Sequence, residues 1–516
     1  MKRTLQMIVA SLALLFTAGI AAAQQNDSTR SPLVRLLQSK GIITEQEAAS
    51  VSAASTPVEA ERLLAKLLLS KGVITQQEYD QTELALGASS TPSASPKGTA
   101  VPAAASSSNP AAERAVTADL RTNQPATATD ASASQTRTAG EPVRWSDLIG
   151  EGNRFKFYGF LRLDMNIDSQ RPNVGQAPLF ITSEDPRIGK PDAGNFSMHP
   201  RLTRFGVDYT GPTLGDLGDA KLTGKLELDF FNGGSESRQI IRIRHAYLKM
   251  GWKDFSLLGG QTWDIFSPLF PTVNTVNLMW NAGNVGDRRP QFRFAYEPKV
   301  GGGQFSLIGG VGLTGAIDAL DLDANGFRDG EESGRPDVQA RVGVSHPLWV
   351  KGQSASIGAS GFYGWLNTTR PVTPAARTSF RSQIVNIDYT LPIVSRVSLR
   401  GEGWWGRNMS DTRGGAGQGI NPVTGRDIRG RGGWSELSIK ASKYWSLHPG
   451  FSTDDPLDQD VPVGGRTRNA SFYFGNRITP SGAFTIGLDY FRWKTNYKGF
   501  LRGIDNRVDI FFQYSF

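Results

Sequence analysis

The feature that most restricts how this chain can fold is a two-residue hydrophobic period that runs from about residue 153 to the end. In NRFKFYGFLRLDMNIDS, Phe155, Phe157, Leu161, Leu163, Met165 and Ile167 share one parity. Lys156, Arg162, Asp164, Asn166 and Asp168 share the other. AKLTGKLELDFF repeats the pattern, with Leu222, Leu226, Leu228 and Phe230 against Lys221, Lys225, Glu227 and Asp229. PQFRFAYE, PDVQARVGVS, VNIDYTL, VSLRGEGWW, FTIGLDY and the final NRVDIFFQYSF continue it. Successive side chains of a strand point to opposite faces, so these segments are two-faced ribbons. Such ribbons can stack on a second sheet over a soluble core, or close into a cylinder whose apolar face meets lipid.

The polar parity separates the two. A sandwich turns that face to bulk water, where Lys, Glu, Thr and Ser suffice. Here it carries opposite charges close together: Arg162 with Asp164, Arg293 with Glu297, Arg400 with Glu402, Arg507 with Asp509. Arginine beside carboxylate suits the wall of a narrow wet channel. At roughly 20 to 25 residues per strand and connection, residues 144–516 give about 16 strands, a size that leaves an aqueous channel. The expected fold is all-β, a transmembrane antiparallel β-barrel of about 16 strands, preceded by a small α-helical extension and a disordered linker.

The first residues agree with export. Lys2 and Arg3 precede the apolar run Met7 to Ile20, and Ala21-Ala22-Ala23 forms a small-residue cleavage site. Residues 1–23 therefore read as a secretory signal peptide. No later run of 18 apolar residues occurs, so the remainder can cross a bilayer only as a closed barrel. In 24–87, LLQSKGIITEQE (Leu36 to Glu47) recurs as LLLSKGVITQQE (Leu67 to Glu78). Each copy predicts a helix stopped at Gly41 or Gly72, then a second helix capped by Thr44 or Thr75 with glutamate three residues on. This is a periplasmic helical hairpin, with oligomerisation or a peptidoglycan contact as its sharper reading. Residues 88–143, rich in Ala, Ser, Thr and Pro, read as a flexible linker.

Composition removes several function classes. There is no cysteine, which excludes disulfides, thiolate metal sites and cysteine nucleophiles. The histidines are His199, His245, His346 and His448, none in an HExxH pair. The net charge of +8 comes without a nucleic-acid-binding motif. No enzyme activity, nucleic-acid partner or required cofactor is expected. GVGLTG (Gly310 to Gly315) spells a dinucleotide motif but opens no helix. DLDANGFRDGEE fits a calcium loop, with Asp321, Asp323, Asn325 and Glu332 as oxygen ligands and Gly326 at the turn. Arg328 stands where that loop usually has an apolar residue, and no helices flank it, so an acidic solvated loop is the rival reading. TDDPLDQDV, with Asp454, Asp455, Asp458 and Asp460, reads as a solvated or lipopolysaccharide-facing loop.

YGFLRLDMN, HPRLTRFGVDY, IRIRHAYLKM, GGQTWDIFSP, GDRRPQFRFAYE and LRGEGWWGRN, in that order before a terminal Phe516, resemble the DcaP-like outer-membrane porins. Phosphate-selective porins of the O/P type are near in texture. The family's frequent heptad coiled coil is replaced here by the duplicated hairpin and linker. The resemblance implies a homotrimer in the outer membrane of a Gram-negative-type bacterium, surrounded by lipid and lipopolysaccharide. It also implies recognition of the last strand by the barrel assembly machinery, and passive diffusion of small hydrophilic solutes with a preference for anions such as dicarboxylates or phosphate. Strand parity gives that preference a physical basis. Arg162, Arg204, Arg293, Arg341, Arg400 and Arg507 fall on lumen parities, with Asp164 and Glu402 beside them. Arg244 joins the set, although its parity is shared with Ala246 and Leu248 and leaves its facing open. Guanidinium stays charged at any working pH and grips carboxylate or phosphate in a two-pronged pair. The alternatives are arginines that only brace the wall, a sugar-selective porin, and a barrel that anchors a structural tether.

Overall fold

The computed structural model describes residues 34, 43–52, 54, 57–70 and 152–516, apart from 236 and 374–376. The expected signal peptide, the linker and most of the second copy of the duplication lie outside the described residues. In the N-terminal unit, α1 spans Glu45–Ser52 and α2 spans Pro57–Ser70. The cap at Thr44 forms as expected. Thr44 N donates to Glu47 Oε2 at 2.7 Å, and Glu47 N donates back to Thr44 Oγ1 at 3.3 Å, which satisfies two otherwise orphaned amides at the helix start. Val34, Ile43, Ala48, Val51 and Leu64 form a small apolar core.

The second unit is a closed antiparallel barrel of sixteen strands. They are β1 Arg154–Asp168, β2 Arg204–Leu214, β3 Ala220–Asp229, β4 Arg242–Gly251, β5 Phe255–Trp263, β6 Arg288–Tyr296, β7 Gly303–Gly312 and β8 Asp337–Pro347. Then follow β9 Ser354–Asn367, β10 Ser379–Val394, β11 Val397–Arg407, β12 Arg429–Lys440, β13 Trp445–Pro456, β14 Arg466–Ser481, β15 Phe484–Tyr497 and β16 Phe500–Ser515. Each pairs with its neighbours in sequence, and β16 closes on β1 from Phe160 opposite Ser515 to Asp168 opposite Arg507. Phe516 completes the seam: its N–H donates to the Gly159 carbonyl at 3.0 Å, and Gly159 N–H donates back at 3.2 Å. Closure leaves no open edge, which rules out the sandwich.

The alternation explains the wall. On β1, Leu161, Leu163 and Ile167 are exposed outward, whereas Arg162, Asp164, Asn166 and Asp168 are buried inward. Val385 is 58% exposed, Phe472 50% and Leu488 45%. So large an exposed apolar band is far beyond what a soluble monomer shows and matches the lipid-facing belt of a membrane barrel. Among the described residues no helix is long and apolar enough to cross a membrane. At one end the connections are short, as at 395–396 and 482–483; at the other they include 169–203, 264–287, 313–336 and 408–428. Barrels of this kind keep short turns on the periplasmic side and long loops outside.

One strand departs from simple parity. Between β3 and β4 the register shifts beside His245, so that Arg242, Arg244 and His245 are all buried while Ile243 is exposed. The extra residue of this bulge reverses the parity downstream and resolves the facing of Arg244: it points inward.

Candidate functional site

The lumen is shaped by residues 264–287, the connection between β5 and β6, which folds inside the barrel. Leu278, Met279 and Trp280 on this inward loop are fully buried against Tyr473, Phe491 and Trp493 of the wall. Leu278, Met279 and Asn281 take left-handed backbone angles, with φ of 51°, 64° and 58°, a strained geometry for non-glycine residues that surrounding contacts must hold.

Wall carboxylates provide those contacts. Glu402 accepts from Ser267 Oγ at 2.5 Å and Leu269 N at 2.8 Å. Glu436 accepts from Thr272 N at 2.6 Å and Thr272 Oγ1 at 2.7 Å. Asp489 accepts from Asn274 N at 2.5 Å. At the base of the loop, Arg289 is completely buried among Asp264 at 2.6 Å, Asp411 at 2.9 Å and Asp337 at 3.2 Å. Arg413 reaches Asp287 at 2.8 Å and lies over the Trp280 ring at 4.4 Å. Three parts of the chain are thus tied to one another through buried, charge-assisted hydrogen bonds.

The arginines read from sequence all sit in this lumen. Arg162 pairs with Asp164 at 2.6 Å, lies 3.9 Å over the Phe511 ring and donates to Asn274 Oδ1 of the inward loop. Arg204 and Arg244 converge on Glu227 at 3.4 and 2.6 Å, and Arg244 also meets Asp229 at 3.1 Å. Arg507 sits between Asp168 at 2.7 Å and Asp509 at 2.6 Å. Arg341 pairs with Asp388 at 2.7 Å.

Two expected pairs are corrected. Arg293 does not meet Glu297: it donates to Gln291 Oε1 at 2.8 Å and to the Trp263 carbonyl at 2.5 Å, while Glu297 accepts from Ser306. Arg400 does not meet Glu402 but Glu436, at 3.7 Å, and donates to the Phe270 carbonyl. Glu297 lies four residues from Arg293, past the end of β6; for Arg400, residues two apart on a strand are separated by about 6.6 Å, whereas adjacent strands lie about 4.8 Å apart. Glu436 is the direct cross-strand neighbour of Arg400, and Glu402 is already engaged by the loop.

Sequence reading missed Arg289, Glu436, Asp489 and the Arg477–Asp489 pair. Their partners lie on distant segments, so no local spacing announces them. The one available signal was the stretch LFPTVNTVNLMWNAGNVGD, apolar yet without a period of two.

Three arginine–carboxylate pairs of the wall are unevenly exposed, whereas in Lys225–Asp208 the carboxylate is the more exposed partner, 38% against 25%. In the pair Arg341–Asp388 the arginine side chain is 14% exposed and the carboxylate 2%. For Arg400–Glu436 the values are 20% and 0%, and for Arg477–Asp489 12% and 0%. In each of the three the arginine side chain is the more exposed partner.

Two tempting sites look different in three dimensions. Ser446 Oγ lies 3.0 Å from His448 Nε2, but His448 Nδ1, 3.4 Å from Glu436 Oε1, is not aligned for a hydrogen bond, and both Glu436 oxygens accept from Thr272. The orienting link of a hydrolase triad is therefore missing. In the loop 313–336, Asn325 Nδ2 donates to Glu332 Oε1 and Thr369 Oγ1, both at 2.9 Å, so two of the expected calcium ligands are hydrogen-bonded to each other. Asp321 and Asp323 converge with Asp329, their carboxylate oxygens within 4.8 Å of one another; these three are the residues here that could hold a hard cation. Burial, with Asp321, Asp323 and Asp318 adding, pushes the Asp329 carboxyl up to about 7. An acid raised on folding costs stability as pH climbs from its unfolded value near 4 to its folded value. Without a cation, this loop is therefore expected to be best protected from amide exchange below about pH 4, and to lose protection progressively up to about pH 7. Asp329→Asn should flatten that dependence; an unchanged pH profile in the variant would assign it to other groups.

No family model and no curated protein matches the chain. Among solved structures, the outer membrane channel DcaP of Acinetobacter baumannii is similar at 17% identity and a TM-score of 0.56, over 71% of this chain and 98% of that one. An anion-selective porin from Comamonas acidovorans aligns at 12% identity and a TM-score of 0.44, over 70% of this chain and 100% of that one. The likeness to DcaP shows a shared fold, in line with the resemblance carried by the sequence segments.

Proposed function

We propose that this chain is an outer-membrane porin that admits small hydrophilic solutes by passive diffusion, with a preference for anions. The observation that carries the reading is the asymmetry of the lumen pairs. Arg341, Arg400 and Arg477 keep access to water while their carboxylates are sealed behind them. A solute moving along the wall meets guanidinium, and low-dielectric walls strengthen the attraction. Dicarboxylates and phosphate esters fit the two-pronged geometry. Trimerisation, recognition of the last strand by the barrel assembly machinery and a peptidoglycan contact of the helical extension belong to the same proposal.

The test is reconstitution in planar bilayers under a salt gradient. The expected reversal potential has the sign of chloride permeability exceeding that of potassium. Arg341→Gln with Asp388→Asn removes one pair without leaving a buried charge alone, and is expected to move the permeability ratio toward one. Cation preference in the unaltered protein would overturn the anion reading, and absence of channels would overturn the porin reading.

A further inference from the structure

The outer wall changes character around its loop end. On β1, β2, β4, β7 and β8 the outward side chains nearest the loops are Ile167, Phe205, Ile243, Val311 and Val338, all exposed. On β11, β12 and β14 that level carries Arg407, Arg429, Arg431 and Arg468, also exposed. The side chains of Arg429, Arg431 and Arg468 are 52%, 64% and 53% exposed. Arg407 stands directly across from Arg429, and like charges facing each other on adjacent strands weaken a sheet. Arg492, on β15, extends the patch and donates to Asn506 Oδ1 at 2.7 Å.

Among the described residues, two carboxylates answer these five guanidiniums. Asp455 receives the Nε of Arg431 at 3.5 Å and of Arg468 at 2.9 Å, and Asp460 receives Arg429 at 2.7 Å. Arg407 Nε donates to the neutral Gln383. Between Trp405, Thr453, Arg431 and Arg468 lies a groove of about 270 Å³. Trp405, 54% exposed, is the cross-strand neighbour of Arg431, and farther from the loops on the same outer wall the paired Phe451 and Phe472 are 51% and 50% exposed.

We propose that this patch is a binding site for the phosphorylated headgroup of an anionic glycolipid of the outer leaflet, lipopolysaccharide in a Gram-negative outer membrane. One acyl chain lies along Trp405 and Phe451. Arg431 and Arg468 each present their Nε edge to Asp455, which orients the forks and leaves their terminal nitrogens to meet phosphate. The excess of cations over carboxylates supplies the charge complement. The aromatic rings below lie where headgroup gives way to chain, the depth at which amphipathic rings collect. This inference rests on the outer-membrane reading above and adds to it a ligand class and the residues that select it.

The experiment uses the full chain in dodecyl maltoside, with bis-phosphorylated lipid A and its phosphate-free counterpart as probes. Retention is read by native mass spectrometry at two salt concentrations. The unaltered protein is expected to hold the phosphorylated lipid about tenfold more tightly, less so at high salt. The triple variant Arg431→Gln, Asp455→Asn, Arg468→Gln leaves no carboxylate without its partner and is expected to lose that preference. Trp405→Ala should weaken both lipids alike. Equal affinity for the two lipids, or an unchanged preference in the triple variant, overturns the proposal. So does a triple variant that dissociates an oligomer while binding lipid normally, because the patch would then be a subunit contact. Ion selectivity of the same preparations reads the channel function separately, so failure of the lipid site leaves the porin reading distinguishable.

Discussion

Replacing residues 269–284 by a short Gly-Ser linker is expected to raise single-channel conductance at least about threefold, because sixteen strands enclose a water-wide lumen once nothing fills it. The replaced segment contains Leu278, Met279 and Trp280, which fill the middle of the barrel against the inward wall aromatics Tyr473, Phe491 and Trp493. Removing it takes these side chains out of the lumen and turns Glu402, Glu436 and Asp489 toward water, which replaces the hydrogen bonds the loop backbone donated. The same reasoning makes Arg289→Ala a milder opening. It leaves Asp264, Asp337 and Asp411 without the cation they share, and breaking such a buried arrangement costs about 3–5 kcal/mol. That cost falls on the attachment of the loop, so the expected record is a channel that flickers between a low and a high level. A linker variant with unaltered conductance would show that the loop does not set the bore.

Ile387→Arg is expected to cost about 2–4 kcal/mol of barrel stability, and Val394→Arg about 0–1 kcal/mol, because a cation on the lipid face is penalised at the bilayer midplane and tolerated near its edge. Both side chains point outward from β10, 40% and 53% exposed, but Ile387 lies in the middle of the strand and Val394 is its last residue. In a soluble protein two such exposed aliphatic residues would tolerate arginine equally well. Urea unfolding in detergent or lipid, followed by the mobility difference between heated and unheated samples in SDS gels, measures both. Equal, small effects at the two positions would contradict the lipid-facing wall.

The alternation, with the paired charges on its polar parity and the length of the stretch, pointed to the barrel, its approximate strand number and, away from the Arg244 bulge, which side of a strand meets water, because strand geometry converts a period of two directly into two faces. The Thr44–Glu47 cap was equally legible, since its two partners lie three residues apart. The lumen arginines were legible as a set, but their partners only where a partner shares the strand, as for Arg162 with Asp164 and Arg507 with Asp509. Arg400 shows why the rest was hidden: Glu436 across the sheet lies closer than Glu402 two positions along the chain, and strand register is a property of the assembled barrel. The inward loop, the Arg289 cluster, the inward turn of Arg244 and the arginine patch on the outer wall were decided by tertiary structure, which brings together residues up to hundreds of positions apart. Sequence spacing carries distance only within an element; between elements, closure of the sheet supplies it.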